Sequence, residues 1–236
     1  EEGTRIRKSG IKIPIIIANP GTKSTHKIID NKLDVVIYNS ELLHLYGKLD
    51  KEIRIHIKFD TGMNRYGFDF SEIDELVANL KKYPKLKIQS ICSHLAASDN
   101  SEKDSFTNDQ FQVFENIFNS FSKAINKLID RHILNTNGVL RFPSKEYEMV
   151  RLGIGLYGLS NDNNLQQVST LKSVISQVRI IKEGSKVGYD ASFVAKEDMT
   201  IGVVPFGYAD GLNRKLSTKN GVIIVQNIAC PIIGKI

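Results

Sequence analysis

Short apolar runs alternate with amphipathic segments along the first part of the chain. Six of these runs are predicted strands, at residues 13–18, 34–38, 53–59, 87–93, 132–136 and 148–152. Strands that alternate with helical segments are typical of a parallel sheet with helical crossovers. The pattern predicts an α/β fold containing the last six units of a TIM-like (β/α)8 barrel, so we expect two further units before residue 1.

Two of the intervening segments have a clear helical period. After Ser-Glu at residues 71 and 72, apolar side chains recur at Ile73, Leu76, Val77 and Leu80, which is the spacing of one helix face. A longer apolar stripe follows, at Phe111, Phe114, Ile117, Phe118, Phe121, Ile125 and Leu128. We interpret this stripe as core packing rather than as a cofactor site.

The pattern changes beyond the barrel segments. Residues 168–182 alternate like long strands, and shorter strand-like runs follow at 201–204 and 222–225, separated by Gly, Asn and Asp turns. This texture predicts an antiparallel β domain. We therefore predict two domains, residues 1–164 and residues 165–236, and we expect the β domain to be truncated because its pattern stops in mid-strand.

Composition excludes several classes of protein. The chain has 236 residues, is 41% hydrophobic and 25% charged, and carries a net charge of +6 from scattered basic residues, which favours a mixed-charge surface over a nucleic-acid-binding module. No apolar run approaches the roughly 18 residues of a membrane span, and residues 1–12 are too polar for a secretory signal. Cys92 and Cys230 lie far apart in apolar settings, so we expect reduced core residues and no metal site.

Polar and charged side chains lie at the ends of the predicted strands or just after them. They are Lys58, Arg65, His94, Asn135, Thr136 and Arg151. The carboxyl ends of barrel strands meet at one face, where barrel enzymes build their active sites. Lys58 ends an alternating strand and Arg65 lies just beyond it, so the sequence predicts a site at this face that performs chemistry or binds an anion.

Six segments, in order, carry a resemblance to a known family. They are KFDTGMNRYGF at 58–68, SHLAASD at 93–99, LNTNGVLRFP at 134–143, VRLGIGLYG at 150–158, VGYDASF at 187–193 and PFGYADGLNRKLS at 205–217. In these segments the chain resembles the alanine racemases, which bind pyridoxal 5′-phosphate (PLP) in a barrel that precedes a β domain. The resemblance implies interconversion of L- and D-alanine by two-base α-proton transfer, supply of D-alanine for peptidoglycan, and a cytoplasmic homodimer with shared active sites.

The resemblance implies roles for three residues in the reaction. Tyr189 matches the catalytic tyrosine, which serves the active site of the partner subunit and needs cationic or hydrogen-bonding help to act as a base. Arg65 matches the arginine that binds the substrate carboxylate and orients the tyrosine. Lys58 matches a lysine that carries a carbamate in some members; left unmodified, it needs an anion or Asp60 to balance its charge beside Arg65.

Five further residues match the family's cofactor-binding positions. Arg151 matches the arginine at the pyridine nitrogen, where it donates a hydrogen bond but not a full proton, and His94 matches a histidine that supports this arginine. Gly153 and Ile154 match backbone donors to the PLP phosphate, with Thr136 at a hydroxyl position. Glycine lets backbone approach an anion closely.

Other positions match less closely. Asp99 and Arg214 match residues that line the substrate entrance, although either fits an ordinary surface charge equally well. Asn64 and Asp190 stand where the family usually has glycine, and both residue types tolerate unusual backbone angles.

The family's N-terminal AYGHG-type segment with the PLP lysine has no counterpart in the sequence. We therefore expect an internal fragment that is inactive by itself. Two alternatives stay open: a racemase for serine or another amino acid, and a non-catalytic PLP-binding barrel, which the VGYD tyrosine disfavours. The sequence also leaves open a parent protein in which a Mur-type ligase domain lies upstream of residue 1.

Overall fold

The chain forms two compact units, Glu1–Val168 and Ser169–Ile236. The computed structural model describes residues 1–159 and 165–236, and the predicted domain boundary after residue 164 adjoins residues 160–164, which lie outside the described part. Within the described ranges, no helix combines the length and the apolar character needed to cross a membrane.

The first unit contains a five-stranded parallel sheet. Its strands, in sheet order, are β1 (Ile16–Ile17), β2 (Asp34–Ile37), β3 (Ile53–Lys58), β4 (Leu86–Cys92) and β5 (Asp130–His132). Each strand pairs with its neighbour in the parallel sense. All of β2 is buried, as expected of a parallel strand covered on both faces. The parallel α/β architecture predicted from the alternation is therefore confirmed.

Helices connect these strands. They are α1 (Glu2–Lys8), α2 (Thr25–Asp30), α3 (Ser40–Gly47), α4 (Ile73–Lys81), α5 (Asp104–Ile125) and α6 (Thr136–Arg141). In α4 the apolar residues predicted to share one face are all buried. The stripe of α5 is buried at Phe111, Phe114, Ile117 and Phe121, where it packs on the sheet: the rings of Phe59 and Phe121 are 5.4 Å apart.

The predicted stripe is wrong at its last residue. The helix α5 ends at Ile125, and the next residue, Asn126, takes a left-handed conformation with φ 52°. Leu128 lies beyond this end, with 81% of its surface exposed. The helical period no longer applies once the backbone leaves the helix, so Leu128 does not share the buried face.

The last two predicted strands of the barrel segment differ from the structure. The fifth is displaced from residues 132–136 to Asp130–His132, because the side chain of Asn135 caps α6 by accepting a 2.9 Å hydrogen bond from the Gly138 N–H. The sixth, at residues 148–152, is not a strand; among its backbone bonds is the one from Arg151 N–H to Leu134 O at 3.0 Å.

The second unit consists of antiparallel strand pairs. These are β6 (Gln177–Ile181) with β9 (Met199–Val203), β7 (Lys186–Val187) with β8 (Phe193–Val194), and β10 (Val222–Val225) with β11 (Ile228–Pro231). Gln226 and Asn227, with φ 49° and 66°, form the two-residue turn between β10 and β11, as in tight hairpins. The antiparallel prediction is confirmed, but the long strand expected over 168–182 is limited to β6.

Candidate active site

The loop after β3 is held by its own backbone. Phe68 N–H donates to Lys58 O at 2.9 Å and Asp60 N–H to Phe68 O at 3.0 Å, which closes residues 60–67 into a compact loop. Gly67, with φ +137°, permits this closure, because a Cβ there would lie 2.3 Å from the Asp60 nitrogen.

The carboxylate of Asp60 shapes this loop. It accepts hydrogen bonds from Gly62 N–H at 2.6 Å and from Arg65 N–H at 3.1 Å. Burial raises the pKa of Asp60, but these backbone hydrogen bonds outweigh burial and leave it below its ordinary value. Asp60 therefore holds the backbone that presents Arg65, and its charge also favours the protonated form of Lys58 by raising that pKa.

Cationic side chains converge at the strand ends. A small cavity is lined by Lys58, Phe59, Asp60, Met63, Arg65, Tyr66, Ser93 and His94. Lys58 is half-buried, and this burial lowers its pKa, with the charges of Arg65 and Arg151 acting in the same direction. The Lys58 Nζ lies 5.6 Å from the centre of the Tyr66 ring. The structure thus brings the predicted residues Lys58, Arg65 and His94 to one place.

Arg151 lies beside the ends of β4 and β5. Its guanidinium donates to the carbonyls of Ser93, Ile133 (3.2 Å) and His132 (3.1 Å). It also contacts His94 Nδ1 at 3.2 Å and His132 Nδ1. Burial, followed by the Arg151 charge, lowers the pKa of His94 to about 4 and that of His132 to about 3. Both imidazoles are therefore neutral near pH 7 and can accept hydrogen bonds from the arginine.

A buried polar chain continues from His132 across the sheet. His132 Nε2 lies 3.0 Å from Ser90 Oγ, and Ser90 Oγ lies 2.6 Å from His56 Nδ1. An irregularity in the register between β3 and β4 places Ser90 opposite His56. The sequence analysis selected neither His132 nor Ser90. The signal available for this chain was His56, a histidine inside the apolar strand β3.

The far end of this chain is an ion pair. His56 Nε2 lies 3.6 Å from the Asp34 carboxylate, which pairs with Arg54 at 2.6 Å. Burial raises the pKa of Asp34, but the neighbouring His56 imidazole and the hydrogen-bonded Arg54 guanidinium outweigh burial and hold this pKa below its ordinary value. Asp34 is therefore a buried carboxylate beside the His56 end of the chain, and Arg151 lies at the His132 end.

Backbone donors converge on Thr136 at the start of α6. The N–H groups of Gly153 and Gly155 each donate to Thr136 Oγ1 at 3.1 Å, so the hydroxyl can direct its own proton outward. A Cβ on Gly153 would meet open space, and Ile154 is 53% exposed. The structure therefore groups Thr136, Gly153 and Ile154 as expected, and it adds Gly155, which the sequence analysis did not select.

Three further predicted residues belong to other segments of the chain. Asp99 is exposed on the loop after β4. Tyr189 and Arg214 belong to the second unit, where Tyr189 is 77% exposed and Arg214 Nε donates to Ile236 O at 3.2 Å. The roles assigned to these residues remain predictions.

The backbone around Tyr189 is unusual. Gly188, Asp190 and Ala191 have φ of 76°, 61° and 48°, and the Asp190 carboxylate pairs with Lys235 at 2.6 Å. Left-handed conformations at non-glycine residues are strained and cluster at functional sites. Asp190, which departs from the family's glycine, therefore adopts the conformation that glycine would accept more readily.

Comparisons with known proteins give matches along the whole chain. The model of the alanine racemase N-terminal domain matches residues 1–161, and that of the C-terminal domain matches residues 168–236. Alanine racemase 1 of Oceanobacillus iheyensis is 31% identical over all of this chain, which spans 65% of that relative.

Solved structures give the same result. The alanine racemase of Streptomyces lavendulae is 25% identical and superposes with a TM-score of 0.88, over 97% of this chain and 63% of that one. The alanine racemase of Bartonella henselae, solved with covalently bound pyridoxal phosphate, is 25% identical with a TM-score of 0.81, over 99% of this chain and 66% of that one. The chain thus spans slightly less than two thirds of these relatives, and it belongs to the alanine racemase family.

Proposed function

We propose that this chain is part of a PLP-dependent isomerase that interconverts L- and D-alanine. The observation that carries the proposal is the buried Arg151 guanidinium, held by neutral His94 and His132 and by strand-end carbonyls. An arginine donates a hydrogen bond while keeping its proton, which suits a ring nitrogen that should stay unprotonated.

The chemistry of the donor set fits PLP. Arg151 supplies a permanent donor suited to the pyridine nitrogen, and the Thr136 hydroxyl, which accepts from two N–H groups, retains a proton suited to a phosphate oxygen. In the proposal, the backbone N–H of Ile154 donates to the phosphate, and that of Gly153 does so after it leaves Thr136 Oγ1, its acceptor in this structure. When bound, PLP supplies the electron sink that lets the substrate's α-proton leave.

The chain's own residues would bind and orient the substrate. Arg65 would pair with its carboxylate, and Lys58 would hold Arg65 in place once carbamylated. Burial lowers the pKa of Lys58 and so increases the neutral amine, the form that reacts with carbon dioxide. Tyr189 would hold and release the proton on one face of the substrate, with Asp99 and Arg214 at the entrance.

The second base would be the lysine that holds PLP, which has no counterpart in this chain. The active protein would be a cytoplasmic homodimer in which Tyr189 serves the partner's site, and it would supply D-alanine for peptidoglycan. The chain alone would be inactive.

The test is racemisation by a longer protein that contains both this chain and the segment with the PLP-binding lysine. We expect D-alanine to form from L-alanine, and the reverse, in a chiral chromatographic assay with added PLP, and we expect no activity from the chain alone. Equal or faster turnover of serine would favour the alternative substrate. PLP binding without exchange of the α-proton into deuterated water would contradict the proposal and favour a non-catalytic barrel.

A further inference from the structure

Gln110 is a fully buried polar residue in the middle of α5. None of its surface is exposed, although its helix neighbours Phe111 and Phe114 form the apolar core. A buried amide is unfavourable unless its hydrogen-bonding groups are paired. The contacts of Gln110 therefore show what this residue does.

The amide of Gln110 bridges two loops at the strand ends. Its Oε1 accepts from Ala96 N–H at 2.9 Å, and its Nε2 donates to His94 O at 3.1 Å and to Thr61 Oγ1 at 3.2 Å. Thr61 lies on the loop after β3, whereas His94 and Ala96 lie on the loop after β4. Thr61 Oγ1 also contacts Ser93 Oγ at 2.8 Å.

The orientation of this amide is determined by its backbone partners. In the reversed orientation the NH2 group would face the Ala96 N–H, and the amide oxygen would face the His94 carbonyl, so both contacts would become repulsive. Gln110 thus fits the two loops in a single arrangement. Phe106, one turn earlier in α5, packs 3.3 Å from the position of a Cβ on Gly62, so the same helix covers the β3 loop.

Two acceptors of Arg151 lie within this group: His94, which bonds to Gln110 directly, and Ser93, which contacts Gln110's partner Thr61. Ser93 offers its carbonyl to Arg151, and His94 offers Nδ1 at 3.2 Å. A displacement of the β4 loop would move both acceptors together. We propose that Gln110 is a positioning residue, which locks the β3 and β4 loops together and thereby fixes the acceptors of Arg151 and the backbone that presents Arg65.

The proposal rests on the proposed racemase function for its catalytic consequence, but not for its structural one. The decisive variant is Gln110→Met, which keeps the length of the side chain and removes all three hydrogen bonds. The matched control is Gln112→Met, since Gln112 is exposed on the same helix and bonds to Asn116 at 3.1 Å. Both variants are made in the longer, PLP-loaded protein that contains this chain and the PLP-binding lysine.

Two readouts separate positioning from general stability. Amide hydrogen exchange should accelerate selectively at residues 61–65 and 94–97 in Gln110→Met, with the amides of β2 and β3 as protected as before. The kcat for alanine should fall about 10–100-fold, since misplaced groups reduce the rate of chemistry, and KM should rise as well, because the loosened loop presents Arg65 to the substrate carboxylate. Gln112→Met should change neither quantity.

Uniformly faster exchange, or an unchanged kcat in a folded Gln110→Met protein, would overturn the proposal. If Gln110→Met does not fold, Thr61→Val decides by the same two readouts, because it removes only the hydroxyl that joins Gln110 to Ser93. A protein without racemase activity would refute the proposed function, and the exchange measurement would still decide whether Gln110 locks the loops.

Discussion

The two units of the chain hold their candidate functional residues in different ways. In the first unit Arg151 and His94 are fixed by partly buried hydrogen bonds beside a packed core. In the second unit Ala195 is a buried hydrophobic residue, whereas Val178 and Ile180 of β6 have 62% and 75% of their surface exposed. Burial strengthens polar interactions and confers most of the stability of a fold. The first unit therefore positions groups by packing, and the second by local backbone conformation and exposed ion pairs.

The largest expected effect concerns the exposed tyrosine of the second unit. Tyr189→Phe should reduce racemisation roughly 100- to 10,000-fold, the range for losing a general acid–base group. Exchange of the α-proton should fail for one enantiomer while PLP stays bound, as measured by absorbance and by NMR in deuterated water. Tyr208→Phe is the matched control, since Tyr208 is also an exposed tyrosine of this unit, at 64%. Unimpaired exchange from both enantiomers in Tyr189→Phe would refute its role as a base.

Core truncation should separate the units by stability. Phe114 is fully buried, so Phe114→Ala should cost about 3–5 kcal/mol. Ile180→Ala, on the exposed face of β6, should change the free energy of unfolding by less than about 0.5 kcal/mol. Urea unfolding of the two variants measures both values, and similar costs would show that Ile180 is buried in the assembled protein.

Glycine replacements sharpen the same contrast. Gly67→Ala forces a Cβ into the Phe59–Asp60 backbone at a φ of +137°, and it should destabilise the first unit by about 2–3 kcal/mol. Gly207→Ala in the second unit meets no atom within 4 Å and should be nearly neutral. Thermal melting of both variants checks this order, and a stable Gly67→Ala protein would contradict the close approach.

The contrast explains what the sequence could predict. The runs at 34–38 and 53–59 correspond to β2 and β3 within one residue, because mostly buried strands appear in the sequence as distinct apolar runs. The fifth strand was displaced since Asn135 acts as a helix cap, and the predicted sixth strand keeps the backbone bond from Arg151 N–H to Leu134 O without forming a strand. His132, Ser90 and Gln110 were missed, since their partners are distant in sequence and depend on strand register.

Acidification should weaken the first unit before the second. All five histidines of the chain precede residue 169, and the pKa of His94 in the folded protein is lowered to about 4. Below a pH of about 6.5 the unfolded chain takes up this proton before the folded chain does, so stability falls as the pH drops from there to about 4.

Urea unfolding of the first unit at a series of pH values measures this slope. His94→Asn should flatten it in part, because His132 contributes in the same direction, with its pKa lowered to about 3. A first unit equally stable at pH 4.5 and pH 7 would show that these imidazoles are not held neutral.

The smallest effect is expected at the ion pair beside Tyr189. Asp190 and Lys235 lie 2.6 Å apart, but their side chains are 75% and 44% exposed. An exposed pair contributes little to stability, so Lys235→Ala should barely change the free energy of unfolding, and added salt should remove any difference. Asp190→Gly should not destabilise the loop, because glycine accepts its φ of 61° without strain. A marked loss in both variants would show that the second unit, like the first, positions its functional residue by a specific side-chain contact.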